Sequence, residues 1–173
     1  TLRRPKKEEE SFTPKELESH NVFVIVEDSK LKLYSPLLRI ITSQCMEFFS
    51  NRQNNKKPTI LFSIDEFASF GRMEITEALR KLRKKGIRIM VLTQSMADID
   101  MIYGRDERMS MMNNFRFCVI LGITDNDTQE YFSKLIGHKE VTKYSKSKSA
   151  NNVTTSESQS RERIIEAEDL AHL

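Results

Sequence analysis

Ile60-Leu61-Phe62-Ser63-Ile64-Asp65-Glu66 is the stretch that sets the reading of this chain. Its first five residues form a short, nearly continuous apolar run. A run of that length without alternation suits a strand covered on both faces, as in a parallel sheet. Two adjacent carboxylates close it. In an open α/β sheet the ligand lies beyond the carboxyl ends of the strands, so Asp65 and Glu66 fall where a ligand would be met.

Working outward, the neighbouring segments alternate between strand and helix. Upstream, Thr13-Pro14-Lys15-Glu16 is a capping box with proline at the first helical position. Val22–Val26 is an apolar run that predicts another covered strand. Ser35-Pro36 can cap a helix with Leu37, Ile41, Cys45 and Phe49 at helical spacing, widened by Leu38, Met46 and Phe48. Asn51–Lys57 is polar and reads as a loop.

Downstream, Ile75, Leu79 and Leu82 share a helical face, and Gly86 is a good stop. Ile87–Thr93 predicts a third strand, followed by helical stretches over 96–103 and 106–112. Phe117–Leu121 predicts a fourth strand. Thr124 and Asp127 can cap a helix carrying Tyr131, Phe132, Leu135 and Ile136, closed by Gly137. Strand–helix alternation of this kind predicts an α/β fold with a mostly parallel sheet joined by right-handed crossovers. Residues 143–160 are rich in Ser, Thr, Asn and Lys with almost no apolar side chain. A flexible, projecting loop is expected there. The final Ile164-Ile165 and Leu170 could dock a last strand or turn.

Composition narrows the function classes. The 173 residues are 38% hydrophobic and 31% charged, which reads as one soluble globular domain. The net charge is only +3, so any nucleic-acid affinity must come from local patches. No run reaches the roughly 18 apolar residues of a membrane helix, and the basic-then-acidic start (Arg3, Arg4, Lys6, Lys7, then Glu8, Glu9, Glu10) is not a signal peptide. The two cysteines, Cys45 and Cys118, each lie in an apolar run and read as buried free thiols. The three histidines are isolated, so no zinc site is expected.

The chemistry centres on the acidic pair. An apolar strand ending in Asp-Glu is the Walker B pattern: the first carboxylate holds the magnesium that bridges nucleotide phosphates, and the second orients or deprotonates the attacking water. A solvated acidic turn at a plain strand end gives the same local sequence, so the wider context decides. That context is Asp65-Glu66-Phe67-Ala68-Ser69-Phe70-Gly71; then Leu92-Thr93-Gln94-Ser95 with Asp98, Asp100, Ile102, Tyr103 and Gly104; then Asn113-Asn114; then Thr124 to Tyr131; and finally Arg161 to Leu170.

On these residues the chain resembles the TraG/TraD family of type IV secretion coupling proteins. The family's DEFxxLG, QSxxQLxxxYG, NDxxTAEYxSxxxG and terminal LLtpdEL stretches all have counterparts here, in order. The segment from Leu31 through Tyr34 and Ser35-Pro36-Leu37-Leu38-Arg39 to Ile40 is similar to what precedes Walker B in that family. Departures are small: Ser69-Phe70-Gly71 replaces the commoner small-Leu-Gly, and Asp98 stands where Gln is frequent.

The resemblance implies a RecA-like P-loop NTPase, a three-layer fold with a mostly parallel sheet, working as a hexameric ring. Residues 1–173 would be a C-terminal portion of that ATPase domain. The cofactors would be ATP and Mg2+. Asp65 and Glu66 would be the Walker B pair, with Asp65 holding magnesium through water and Glu66 catalytic. Gln94 would sense the terminal phosphate, Arg83 would be the arginine finger offered to the next subunit's nucleotide, and Arg105 would sit near the nucleotide. Arg83 shares its helix with Arg80, Lys81, Lys84 and Lys85, a cluster that also suits a solvated basic face. Lys143, Lys146 and Lys148, with Tyr144 nearby, are candidate DNA-backbone contacts, although a solubilising loop would have the same composition.

Implied partners are further copies of the chain, relaxase-bound DNA or protein substrates, and the components of the secretion channel. The implied location is the cytoplasmic side of the bacterial inner membrane, reached through an upstream anchor. Among the five glycines none forms Gly-x-x-x-x-Gly-Lys-Ser/Thr. The phosphate-loop strand is therefore expected outside this stretch, as the resemblance implies for the helical cap domain, and the stretch alone should bind nucleotide poorly and hydrolyse almost none. The alternatives are another ring DNA translocase, of the HerA or chromosome-segregation (FtsK) type, and a non-catalytic module that docks substrate.

Overall fold

The computed structural model of the chain describes residues 12–53, 57–149 and 152–173, and the side chains of these except 146–155. It divides into two compact units. One runs up to Gln94 and takes in Asp98–Arg116; the other joins Ser95–Ala97 to Phe117–Leu173.

In the first unit the capping box forms as expected. Pro14–Glu18 is a short 3-10 helix, and the Glu16 carboxylate accepts from the Thr13 backbone N–H at 3.2 Å. Helix α1, Asp28–Ser50, starts well before the expected cap at Ser35-Pro36. A proline inside a helix strips the carbonyl four residues back of its donor. Here that carbonyl belongs to Lys32, and the Ser35 hydroxyl donates to it at 3.3 Å. The orphan is satisfied locally, so the helix runs through Pro36. Leu38, Cys45, Met46 and Phe49 form its buried stripe. The fully buried Phe49 ring meets Phe62 edge to face at 6.2 Å.

Strands β1 (Ile60–Ile64) and β2 (Ile87–Val91) pair in parallel, from Ile60 opposite Ile87 to Ile64 opposite Val91. Helix α2, Ile75–Leu82, lies between them in sequence and buries Ile75 and Leu82. A 3-10 turn, Arg83–Lys85, extends it to Gly86, whose φ of 75° is the left-handed stop that glycine adopts without steric cost. Helices α3 (Met96–Tyr103) and α4 (Arg105–Met112) follow.

Two expected strands do not form. Residues 22–26 and 117–121 lie outside both sheets. Phe23 is 82% exposed and Ile25 89%; Phe117, Val119 and Leu121 are about as open. Apolar β-branched sequence makes a strand only where a ladder partner takes its backbone groups, and among the described residues the parallel sheet has two strands, not four. Cys45 is buried as expected, and burial pushes its thiol pKa up; Cys118, in the run that joins neither sheet, is exposed instead.

The second unit is organised by helix α5, Asn126–Ile136. Its cap is Asp125, not Thr124 or Asp127: the Asp125 Oδ1 accepts from the Asp127 and Thr128 N–H groups at 3.1 and 3.2 Å. The fully buried Ser133 donates to the Ile165 carbonyl at 2.7 Å, and Gln129 donates to Ile123 at 2.6 Å. The closing segment docks as a 3-10 helix, Glu168–His172, with Leu170 fully buried and its carbonyl accepting from Ile123 N–H at 2.9 Å.

Where a loop was expected over 143–160, the backbone is a long antiparallel hairpin. Strand β3, His138–Ser149, pairs with β4, Asn152–Arg163, through twelve rungs, from His138 opposite Arg163 to Ser149 opposite Asn152. None of its described side chains is buried, and a ribbon without a buried face needs no apolar alternation, the pattern by which a strand is read from sequence. Ladder bonds and cross-strand pairs hold it instead: Lys143 Nζ lies 2.6 Å from Glu162, and the Ser145 and Ser156 hydroxyls are 2.5 Å apart.

Arg163 anchors the hairpin base to α5. Its guanidinium donates twice to Glu130, at 3.0 Å each, and to the Ser133 hydroxyl at 3.3 Å. The Arg163 hydrogen bonds, aided by Lys134, hold the Glu130 carboxyl below its ordinary value of 4.5. A depressed carboxyl contributes stability that is present above that ordinary value and lost as the pH falls through the folded-state value. Between about pH 6 and about pH 3 the melting temperature of the wild type should therefore fall more steeply than that of Glu130→Gln. Parallel melting curves over that range check it.

Candidate nucleotide-phosphate site at the strand ends

The parallel register brings two chain exits side by side. At the end of the ladder the Leu92 N–H donates to the Ile64 carbonyl at 3.0 Å, and the Phe67 N–H donates to the Leu92 carbonyl at 2.9 Å. These bonds set Asp65-Glu66 beside Leu92-Thr93-Gln94. The Gln94 Nε2 donates to Glu66 Oε2 at 3.2 Å. The Asp65 Oδ1 accepts from the Glu66 backbone N–H at 3.0 Å. Asp65 and Gln94 are exposed and Glu66 is half-buried.

Glu66 is held in the left-handed region, at φ 46° and ψ 50°, and is the one non-glycine with positive φ among the described residues. That conformation costs an L-residue roughly 1–2 kcal/mol. Strain of this kind is found where a side chain has to be aimed. Two carboxylates and a carboxamide thus converge at the carboxyl edge of two parallel strands. This is an acid-rich surface of oxygen acceptors with one amide N–H donor, Gln94 Nε2.

Arg83 is elsewhere. It caps α2 at the amino edge of β2, and its carbonyl accepts from Gly86 N–H and from the Arg88 guanidinium. The five-residue strand Ile87–Val91 separates it from Gln94, a rise of ~13 Å along the sheet. Its side chain is exposed. Arg105 is the first residue of α4 and is exposed, directly after Gly104 at φ 76°. Lys143 belongs to the second unit, on the hairpin, where it is engaged with Glu162. The side chains of Lys146 and Lys148 lie outside the described residues.

Two anchoring side chains escaped sequence reading. Arg52, in the stretch expected as a polar loop, is buried: it donates to the carbonyls of Lys85 (3.0 Å) and Pro58 (2.8 Å) and to Glu18 (3.3 Å). It thereby ties down the end of the Arg83 turn. Arg108 is buried against Asp100 at 2.6 Å. A lone arginine in polar sequence gives no hint of such burial; only the carbonyls it serves reveal it. Among the described residues no cluster of three or more metal-ligating side chains occurs, and no helix is long and apolar enough to cross a membrane.

Residues 59–173 match the family model described as the TraM recognition site of TraD and TraG. The chain belongs to the TraG/TraD family. Among similar TraG/TraD relatives, the conjugal transfer protein TraG of Agrobacterium fabrum is 29% identical over 123 residues, 70% of this chain and 19% of that protein. Protein VirD4 of the same organism is 27% identical over 119 residues, 67% of this chain and 18% of that protein. Among solved structures, the bacterial conjugative coupling protein TrwB in its unbound monoclinic form aligns with a TM-score of 0.82 at 25% identity, over 94% of this chain and 39% of that one. Plasmid coupling protein TrwB in complex with ADP and Mg2+ aligns at 0.78 with the same identity, over 94% of this chain and 38% of that one. The α/β architecture is thus that of coupling proteins. The chain spans about a fifth of the curated relatives it matches.

Proposed function

We propose that the chain supplies the Walker B half of an ATPase site in a TraG/TraD coupling protein, a RecA-like motor that assembles as a hexameric ring. In this reading the ring recruits relaxase-bound DNA or protein substrates to a type IV secretion channel at the cytoplasmic face of the inner membrane. The observation that carries it is the convergence of Asp65, Glu66 and Gln94 at the ends of adjacent parallel strands.

The donor set fits hydrated magnesium and a nucleotide. Magnesium prefers oxygen ligands, keeps several waters, and is bound through one or two carboxylates plus substrate phosphates. Bound Mg2+–ATP would supply the reactive phosphoanhydride and the charge neutralisation. Asp65, exposed at the end of the strand, would take the metal through water. Glu66 would orient the attacking water, accepting its proton on the carboxylate now hydrogen-bonded by Gln94. Gln94 would read the terminal phosphate by exchanging that bond. Arg105 would stand near the nucleotide.

Arg83, at the opposite edge of the sheet from Glu66 within one chain, suits action on a neighbour's site. Lys143, Lys146 and Lys148 are the proposed DNA contacts. The titration of Glu162 below its usual range by Lys143 means that DNA phosphate would compete with that carboxylate for the ammonium.

ATP hydrolysis by the complete gene product with Mg2+ tests the reading, with and without single-stranded DNA. Turnover stimulated several-fold by DNA is expected. Absent turnover in a folded, DNA-binding protein would overturn it in favour of a docking module.

A further inference from the structure

Two of the sequence signatures, distant in the chain, meet in the structure. Phe67 directly follows Glu66, and Gly71 closes the same turn. Tyr103 ends α3. The Tyr103 and Phe67 rings stack with centroids 5.7 Å apart and planes 10° apart, and both are buried. The Tyr103 hydroxyl accepts from the Met73 N–H at 3.1 Å and donates to the Gly71 carbonyl at 3.3 Å. Burial raises the pKa of this phenol, which keeps its proton available for the Gly71 bond. The guanidinium of Arg72 lies 5.8 Å from the centre of the Tyr103 ring and pairs with Glu107 of α4.

One side chain therefore grips the residue after Glu66 and both ends of the 71–73 loop. A left-handed glutamate persists only where its flanks overdetermine it. The downstream flank is Phe67, fixed by its N–H bond to Leu92 and by the Tyr103 ring. Without the ring, Phe67 can shift, Glu66 can relax to the right-handed region, and its carboxylate leaves Gln94. We propose that Tyr103 is a positioning residue for Glu66, holding the Glu66–Met73 turn in the conformation that presents the carboxylate beside Gln94. This rests on the proposed role of Glu66 in hydrolysis.

The test compares Tyr103→Leu and Tyr103→Phe in the complete gene product, by residue-resolved amide exchange alongside kinetics. In Tyr103→Leu, exchange at the Phe67 amide should speed up about tenfold. The Ile60 amide, bonded to Gly86 at the far end of the same ladder, should keep its protection. The turnover number should drop about tenfold while nucleotide affinity stays within about twofold. In Tyr103→Phe the ring remains, so the Phe67 amide and turnover should hold within about threefold while the Met73 amide, its acceptor gone, exchanges about tenfold faster. Unchanged exchange at Phe67 in Tyr103→Leu, or equal loss at Ile60, would overturn the proposal. So would a loss of turnover in Tyr103→Phe as large as in Tyr103→Leu. If the wild type hydrolyses nothing, the ATPase reading falls, and the exchange pattern alone decides whether Tyr103 sets the conformation of Glu66.

Discussion

Glu66→Gln in the complete protein should bind ATP with unchanged affinity and turn it over at least about a hundredfold more slowly, the usual weight of a positioned general base. Size and shape are conserved, so the left-handed turn, the Phe67–Leu92 bond and the Asp65 side chain all stay in place. The carboxylate that would take the water's proton is what disappears. A glutamine at this position can still meet the Gln94 amide, amide to amide, which keeps the local geometry. Nucleotide titration together with steady-state hydrolysis measures both halves. Normal turnover in this variant would remove Glu66 from the chemistry.

Arg83→Ala should have a comparable effect for a different reason. An arginine finger contributes on the order of a thousandfold or more to hydrolysis, because it meets charge that develops only in the transition state. Arg83 is exposed at the amino edge of β2, and the neighbouring turn is held by Arg52 and Arg88 through main-chain carbonyls. Truncating it should leave the melting temperature within about a degree and nucleotide affinity nearly unchanged. The loss should appear only where subunits are assembled. An equal loss in monomers would make Arg83 a local structural residue.

The residues of the candidate site could be picked out in the sequence because the pattern is local. An apolar strand, two carboxylates and a glutamine after the next strand are read directly, and parallel pairing then puts the two ends together. The helices were legible where spacing and stops agreed, as from Ile75 to Gly86. Legibility failed wherever a distant or compensating partner decided the outcome. The Ser35 hydroxyl rescues Pro36 and lengthens α1. Residues 22–26 and 117–121 look like strands but lie outside the described sheets. None of the described side chains of the β3–β4 hairpin is buried, so no apolar alternation marks its pairing. The Tyr103 clamp joins two signatures that sequence reading could quote but not connect, since stacking and a hydroxyl bond leave no periodic trace.

In the proposed ring the Asp65–Glu66–Gln94 edge forms a composite site completed by Arg83 of another subunit. Mixing Glu66→Gln protein with Arg83→Ala protein tests it most directly. Each alone should be nearly silent. In an equal mixture about a quarter of the interfaces join an intact Glu66 to a neighbour's intact Arg83, so hydrolysis should return, to at most about a quarter of the wild-type rate. A mixture as silent as its components, in rings shown to contain both, would rule out a site shared between subunits and return Arg83 to its own chain.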